Sequence, residues 1–210
     1  MKRGRFITFE GGEGTGKSTQ VRLLAAHLTQ SKADVVQTRE PGGSPSAEEI
    51  RSLLVTGAAD RWSPLAETLL FYAARVEHWR QVIEPALVRG AHVLCDRFSD
   101  STMAYQSYAG GLDREMIARL HRLTMANAEP DLTLVLDLPV DEGLKRAAAR
   151  RDDETRFERK GREFHERLRQ GFLDIARGAP QRCVVIDAGQ QVDRVHAAVV
   201  AAVKTRFGLG

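Results

Sequence analysis

The chain has only two cysteines among its 210 residues, Cys95 and Cys183. Two thiols without a metal-like spacing make neither a zinc site nor a disulfide framework, and each sits in an apolar, strand-like run. Buried, reduced thiols are the expectation. Long hydrophobic runs are missing as well: no apolar stretch approaches the ~18 residues a membrane span needs. The opening Met1-Lys2-Arg3-Gly4-Arg5 is basic, but the apolar run behind it is too short for a signal peptide, so a cytoplasmic protein without a membrane partner is expected. A one-sided charge is absent too, since 31 basic against 28 acidic residues leave a net charge of +3. No basic tail and no basic stripe with interleaved aromatics occurs, and a polynucleotide partner is not expected. Among the basic residues only six are lysine. Compositional bias accounts for this, and so does a site for small polyanions, because the arginine fork binds phosphate bidentately.

What is present is concentrated near the start. Residues 11–18 read G-x-x-x-x-G-K-S, between an apolar run at 5–9 and a segment where Val21, Leu24 and Leu28 recur at helical spacing. Strand, glycine loop and helix form the context in which this pattern is a P-loop. Phosphate oxygens need several backbone N–H donors converging on one point, and glycine lets the chain turn that tightly. Gly11, Gly12, Glu13, Gly14, Thr15, Gly16, Lys17, Ser18 and Thr19 are therefore the candidate ATP phosphate-binding residues. Lys17 supplies a point charge and Ser18 a hydroxyl ligand for Mg²⁺.

Further apolar runs at 34–38, 92–96, 132–137 and 183–187 alternate with helical patterns. Five such strands predict an α/β fold, a five-stranded parallel doubly wound sheet in a single domain over 1–210. Ser46 with Glu49 predicts a capping box for a helix through Leu53. Pro64 suits the first turn of a long helix with Leu65, Leu69, Ala73, Val76, Ile83 and Leu87 as its buried stripe, and Pro85 should interrupt that helix near its end. A helix should begin near Ser101, and Asp113 should cap the one that follows. A helix around Val140 to Arg150 leads into the most charged region, Lys145 to Arg169, in which no further element is read. Ligands of such a sheet bind at the carboxyl ends of its strands, where the P-loop, Arg39, Asp96, Arg97 and Asp137 fall.

A P-loop alone does not separate GTPases, motor ATPases and small-molecule kinases. No guanine-reading N-K-x-D sequence occurs, and one short domain lacks the machinery of a motor. Asp96, ending a buried strand, suits a carboxylate near Mg²⁺. Arg97 beside it would face a second substrate's phosphate, which favours a phosphotransferase over a nucleotide-binding regulator or DNA-dependent ATPase. On their own, Phe71 reads as a core filler and Arg75 as a solvated helix charge.

The motifs FEGGEGTGK (9–17), TREPGG (38–43), LFYAAR (70–75), DRF (96–98), PDLT (130–133), GLKR (143–146) and RFE (156–158) occur in an order and at spacings that resemble bacterial thymidylate kinases over nearly the whole chain. The resemblance implies ATP- and Mg²⁺-dependent phosphorylation of dTMP to dTDP in dTTP biosynthesis, by a homodimer. It implies that Phe71 stacks on thymine and Arg75 bonds its carbonyl edge. Pro41, Thr102, Tyr105 and Gln106 would line the base and sugar. Glu13 would lie near the sugar 3′-hydroxyl and acceptor phosphate, Arg97 would grip that phosphate, and Arg39 would reach the same region. Arg146 falls on the ATP side. Some family members carry an arginine in the P-loop where this chain has Gly14. Members without it place arginines in a mobile lid, here about residues 150–156, with Arg150 the first candidate for the transferring phosphoryl group and Arg156 the second. Lys17, Arg97, Glu13 and one of these arginines are then the catalytic set. No general base is required, because the attacking phosphate oxygen is already an anion.

Overall fold

The computed structural model describes residues 3–58, 60–126, 128–149, 156–158 and 160–209. Strands β1 (Phe6–Glu10), β2 (Val35–Arg39), β3 (His92–Asp96), β4 (Leu132–Asp137) and β5 (Cys183–Asp187) form one sheet in the order β2-β3-β1-β4-β5. Every pairing is parallel. β1 and β4 are almost wholly buried, as expected of strands covered on both faces. Register places Arg39 beside Asp96 and Phe9 beside Asp96, which brings three strand ends to one edge.

Helix α1 (Lys17–Gln30) packs Val21, Leu24, Ala25 and Leu28 into a core completed by α9 (Val192–Phe207) through Val195, Val199 and Val203. On the other face lie α2 (Pro45–Val55), α3 (Pro64–His78), a π-helical turn (Trp79–Ile83) and α4 (Glu84–Val88). Pro85 sits at the start of α4, directly after the π-helical turn, so the regular α-helix is interrupted ahead of it while the helical path continues. α5 (Ser99–Thr102) runs into a second π-helical turn (Met103–Ala109), and α6 (Arg114–Met125) follows, capped by Asp113 as the sequence suggests. α7 (Val140–Ala148) and α8 (Arg162–Gly178) complete the chain before β5.

Three expectations need correction. α2 starts at Pro45 with Ser44 as N-cap, and Glu48, not Glu49, reaches back to accept from Gly43 N at 2.8 Å. The proline, with φ already helical, begins the helix one turn position earlier than Ser46 would. On α3 the leucines face outward: Leu65 is 47 % and Leu69 50 % exposed, and Ala73 is exposed too. The buried face instead carries Glu67, Thr68, Tyr72, Arg75 and His78. The charged region contains a 17-residue helix, α8, whose Leu168 and Phe172 are buried under Tyr105 and Ala104.

Candidate active site

Gly11, Gly14 and Gly16 all have positive φ. At Gly14 a Cβ would meet the Gly143 carbonyl oxygen of α7 at 2.0 Å, so no side chain fits there. The P-loop of this chain thus carries no arginine at this position because α7 packs on its backbone. Lys17 closes the loop, donating to Gly12 O at 2.7 Å and Gly11 O at 3.1 Å. Burial, then the neighbouring Arg97, lowers its ammonium to about 8.

Ser18 Oγ donates to Asp96 Oδ2 at 2.5 Å, pairing a hydroxyl and a carboxylate across α1 and β3. One residue on, Arg97 takes φ 70°, a conformation that costs a non-glycine residue on the order of 1–3 kcal/mol. Its N–H is held by Phe9 O at 2.9 Å. Its guanidinium donates to Glu13 Oε1 and Oε2 at 3.2 Å each, to Gly11 O at 3.0 Å and to Ser101 Oγ at 3.3 Å. It also lies over the Tyr105 ring. Burial by itself would raise the Glu13 carboxyl, but Arg97 and Lys17 pull it down to about 2, helped by the Tyr105 hydroxyl that donates to it.

Beneath this turn lies Glu10, which the sequence reading passed over. It is fully buried and accepts from Phe98 N at 2.7 Å, Ser101 Oγ at 2.6 Å and Ser101 N at 3.3 Å. Burial first, and Asp100 second, push it up to about 8. It ties the strained Arg97 turn to the end of β1.

Two adjoining cavities meet at Arg97. One, of about 380 Å³, is lined by Glu13, Gly14, Thr15, Gly16, Lys17, Ser18 and Thr19 with Arg39 and Asp96. The other, of about 130 Å³, is lined by Pro41, Phe71, Arg75, Thr102, Tyr105 and Gln106. Glu13, Arg51 and Arg97 line both. The structure therefore brings together all the expected dTMP-binding residues except Arg39, which lies on the P-loop side and pairs with Glu48 at 3.1 Å. The π-helical turn after α5 carries Tyr105 and Gln106 to the same wall as Thr102.

Arg75 is no solvated charge; it is 2 % exposed and stacks between the rings of Tyr72 and Phe98. It donates to Glu40 Oε2 at 2.7 Å, Phe98 O at 3.1 Å and Thr102 Oγ1 at 3.0 Å. Burial opposes its charge most strongly, but Glu40, Tyr72 and Glu10 together outweigh burial and raise it. Its Nη1 is buried and has no partner among the described residues. Gln106 Oε1 is likewise buried and unpartnered, while Gln106 Nε2 donates to Glu67 Oε1 at 2.9 Å. One donor and one acceptor therefore stand open in residues lining the same cavity.

Arg146, on α7, donates to Ala188 O at 3.1 Å, pairs with Glu142, and lines neither cavity. Of the lid arginines, Arg150 and Arg151 lie outside the described residues. Arg156 is 2 % exposed, paired with Glu67, and donates to Leu54 O at 3.1 Å and Ala58 O at 3.0 Å. Sequence reasoning also missed Arg51, Glu40 and Glu67. Glu40 lies inside the TREPGG motif, which was its available signal; Arg51 and Glu67 look like any helix charge.

Comparison with known proteins gives a family profile described as thymidylate kinase, matching residues 9–199. The thymidylate kinase of Caulobacter vibrioides is 58 % identical over 209 residues, covering 100 % of each chain. That of Nitrobacter hamburgensis is 52 % identical over 208 residues, covering 98 % of this chain and 90 % of its own. A crystal structure of thymidylate kinase from Ehrlichia chaffeensis superposes with a TM-score of 0.78 at 39 % identity, covering 96 % of this chain and 99 % of the other.

Proposed function

Because the chain belongs to the thymidylate kinase family and transfers the γ-phosphoryl group of ATP to dTMP, we propose that its two adjoining cavities divide donor from acceptor. The observation that carries this reading is the placement of Glu13 and Arg97 on the wall of both. The ATP phosphates occupy the P-loop, over the N-terminus of α1 and beside Lys17. The thymine ring enters the second cavity against Phe71. Thymine presents an acceptor at O4 and a donor at N3–H, and the open Arg75 Nη1 and Gln106 Oε1 complement that pair. Arg97 and Arg51 take the acceptor phosphate at the junction. Tyr105 and Glu13 border the sugar.

Ser18 and Asp96 offer two hard oxygen donors, a set that suits Mg²⁺ because this ion keeps most of its waters. When bound, Mg²⁺ neutralises charge on the donor phosphates. Among the described residues no group of three His, Cys, Asp or Glu forms an all-protein cage. The chain's own work is positioning and charge. Lys17 holds the donor, Arg97 holds the acceptor oxygen in line, and a lid arginine from 150–156, Arg150 first, meets the equatorial oxygens in the transition state.

The whole of 1–210 is one kinase domain in this reading. Its homodimer interface is α3 with α6, supported by outward Leu65 and Leu69 and by Leu123, which is 82 % exposed. No helix among the described residues is long and apolar enough to cross a membrane, and Cys95 and Cys183 are buried and free, which supports a cytoplasmic setting. A coupled assay with ATP and Mg²⁺ across dTMP, dUMP, dGMP, dCMP and dAMP tests the acceptor reading. Turnover should be highest with dTMP, and comparable turnover of a purine monophosphate would overturn it.

A further inference from the structure

Glu67, on the buried face of α3, has its two carboxylate oxygens divided between partners. Oε1 accepts from Gln106 Nε2 at 2.9 Å, and Oε2 pairs with Arg156 Nη1. A carboxylate can only accept, so the Gln106 amide must turn its NH₂ to Glu67. Its oxygen then points the other way, buried and unpartnered among the described residues, from a residue on the wall of the base cavity. Arg156, which can only donate, occupies the remaining Glu67 oxygen and is itself fixed by Leu54 O, Ala58 O and the Phe157 ring.

We propose that Arg156 and Glu67 are positioning residues that set the polarity of the Gln106 amide, and so select a monophosphate whose base carries a ring N–H over one with a bare ring nitrogen. This rests on the reading of Gln106 as the acceptor for the base edge. Thymine N3–H donates and cytosine N3 accepts, so an inverted amide would suit cytosine at N3, while the cytosine 4-amino group still faces the Arg75 donor. Arg156 then acts from the acceptor side through α3 and the π-helical turn.

The test is Glu67→Gln. Arg156 still requires an oxygen and keeps that of the new amide. The NH₂ of that amide then faces Gln106, whose oxygen turns to it, and Gln106 presents its own NH₂ to the cavity. The measurement is kcat/KM for dTMP and for dCMP with wild type, Glu67→Gln, Gln106→Ala and the exchange variant Glu67→Gln/Gln106→Glu. Glu67→Gln should lower kcat/KM for dTMP about tenfold or more without lowering that for dCMP, so the dTMP-to-dCMP ratio narrows about tenfold, with the KM for ATP unchanged. The exchange variant restores a carboxylate acceptor toward the cavity and should return the preference to dTMP, whether or not the single variant is recovered folded. An equal fall for dTMP and dCMP, or an exchange variant without dTMP preference, overturns the proposal. If Gln106→Ala keeps wild-type kcat/KM for dTMP, the reading of Gln106 itself fails. If Gln106→Ala is impaired and Glu67→Gln leaves the dTMP-to-dCMP ratio unchanged, only the positioning by Glu67 and Arg156 fails.

Discussion

Arg75 Nε donates to Glu40 Oε2 at 2.7 Å, with both side chains no more than 3 % exposed. His78 Nδ1 lies 3.1 Å from the other Glu40 oxygen, and its Nε2 is 2.6 Å from Thr38 Oγ1. The residue read as a base-edge donor is thus also one half of a buried ion pair. Removing it acts on binding and folding together. Arg75→Ala should lower kcat/KM for dTMP by about 1.5–3 kcal/mol, the range for a hydrogen bond to a charged group. It should also destabilise the fold by about 3–5 kcal/mol, because Glu40 is left buried without its partner. Adding Glu40→Gln should recover stability, read from denaturant midpoints, but not dTMP affinity.

Glu10 gives stability a pH dependence of known sign. Its carboxyl is pushed from 4.5 up to about 8 in the folded protein, by burial and then by Asp100. Between those values the unfolded chain has released a proton that the folded chain keeps, so this group makes stability fall as pH rises through the window. The effect is on the order of a few kcal/mol. Glu10→Gln cannot titrate, and its thermal midpoint should fall less than that of the wild type from pH 5 to pH 8. Parallel midpoint curves would show that Glu10 is not the group responsible.

The lid arginines should separate by what is lost. Arg150→Ala, assayed at saturating ATP and dTMP, should reduce kcat on the order of 10³, as for arginines that meet the transferring phosphoryl group. Arg156→Ala leaves Glu67 buried without its counter-charge, and should lower the unfolding midpoint as well as activity. Unchanged kcat in Arg150→Ala would remove it from the catalytic set.

The sheet and the P-loop were legible because both obey local rules: strands buried on both faces read as apolar runs, and a phosphate cradle needs its glycines. The helix faces around the cavity were not. α3 turns Glu67, Thr68, Arg75 and His78 inward, where Glu67 meets Gln106 and both Arg75 and His78 meet Glu40, so the usual apolar-stripe rule selected its outward side. α8 was hidden by the charges between Phe164, Leu168 and Phe172, although these stand four residues apart, the spacing of one helix face. That Arg75 and Phe71 line a cavity was signalled only by motif resemblance. Glu10 and Glu67 carry no local signal, since the groups they position arrive from 88 and 39 residues away.

The division of donor from acceptor is tested most directly by separate titrations of ATP and of dTMP into Lys17→Ala and Arg97→Ala. Lys17→Ala should lose ATP affinity and keep dTMP affinity. Arg97→Ala should weaken dTMP binding and leave ATP binding nearly intact. Equal losses of ATP affinity in the two variants would contradict two phosphate sites meeting at Arg97.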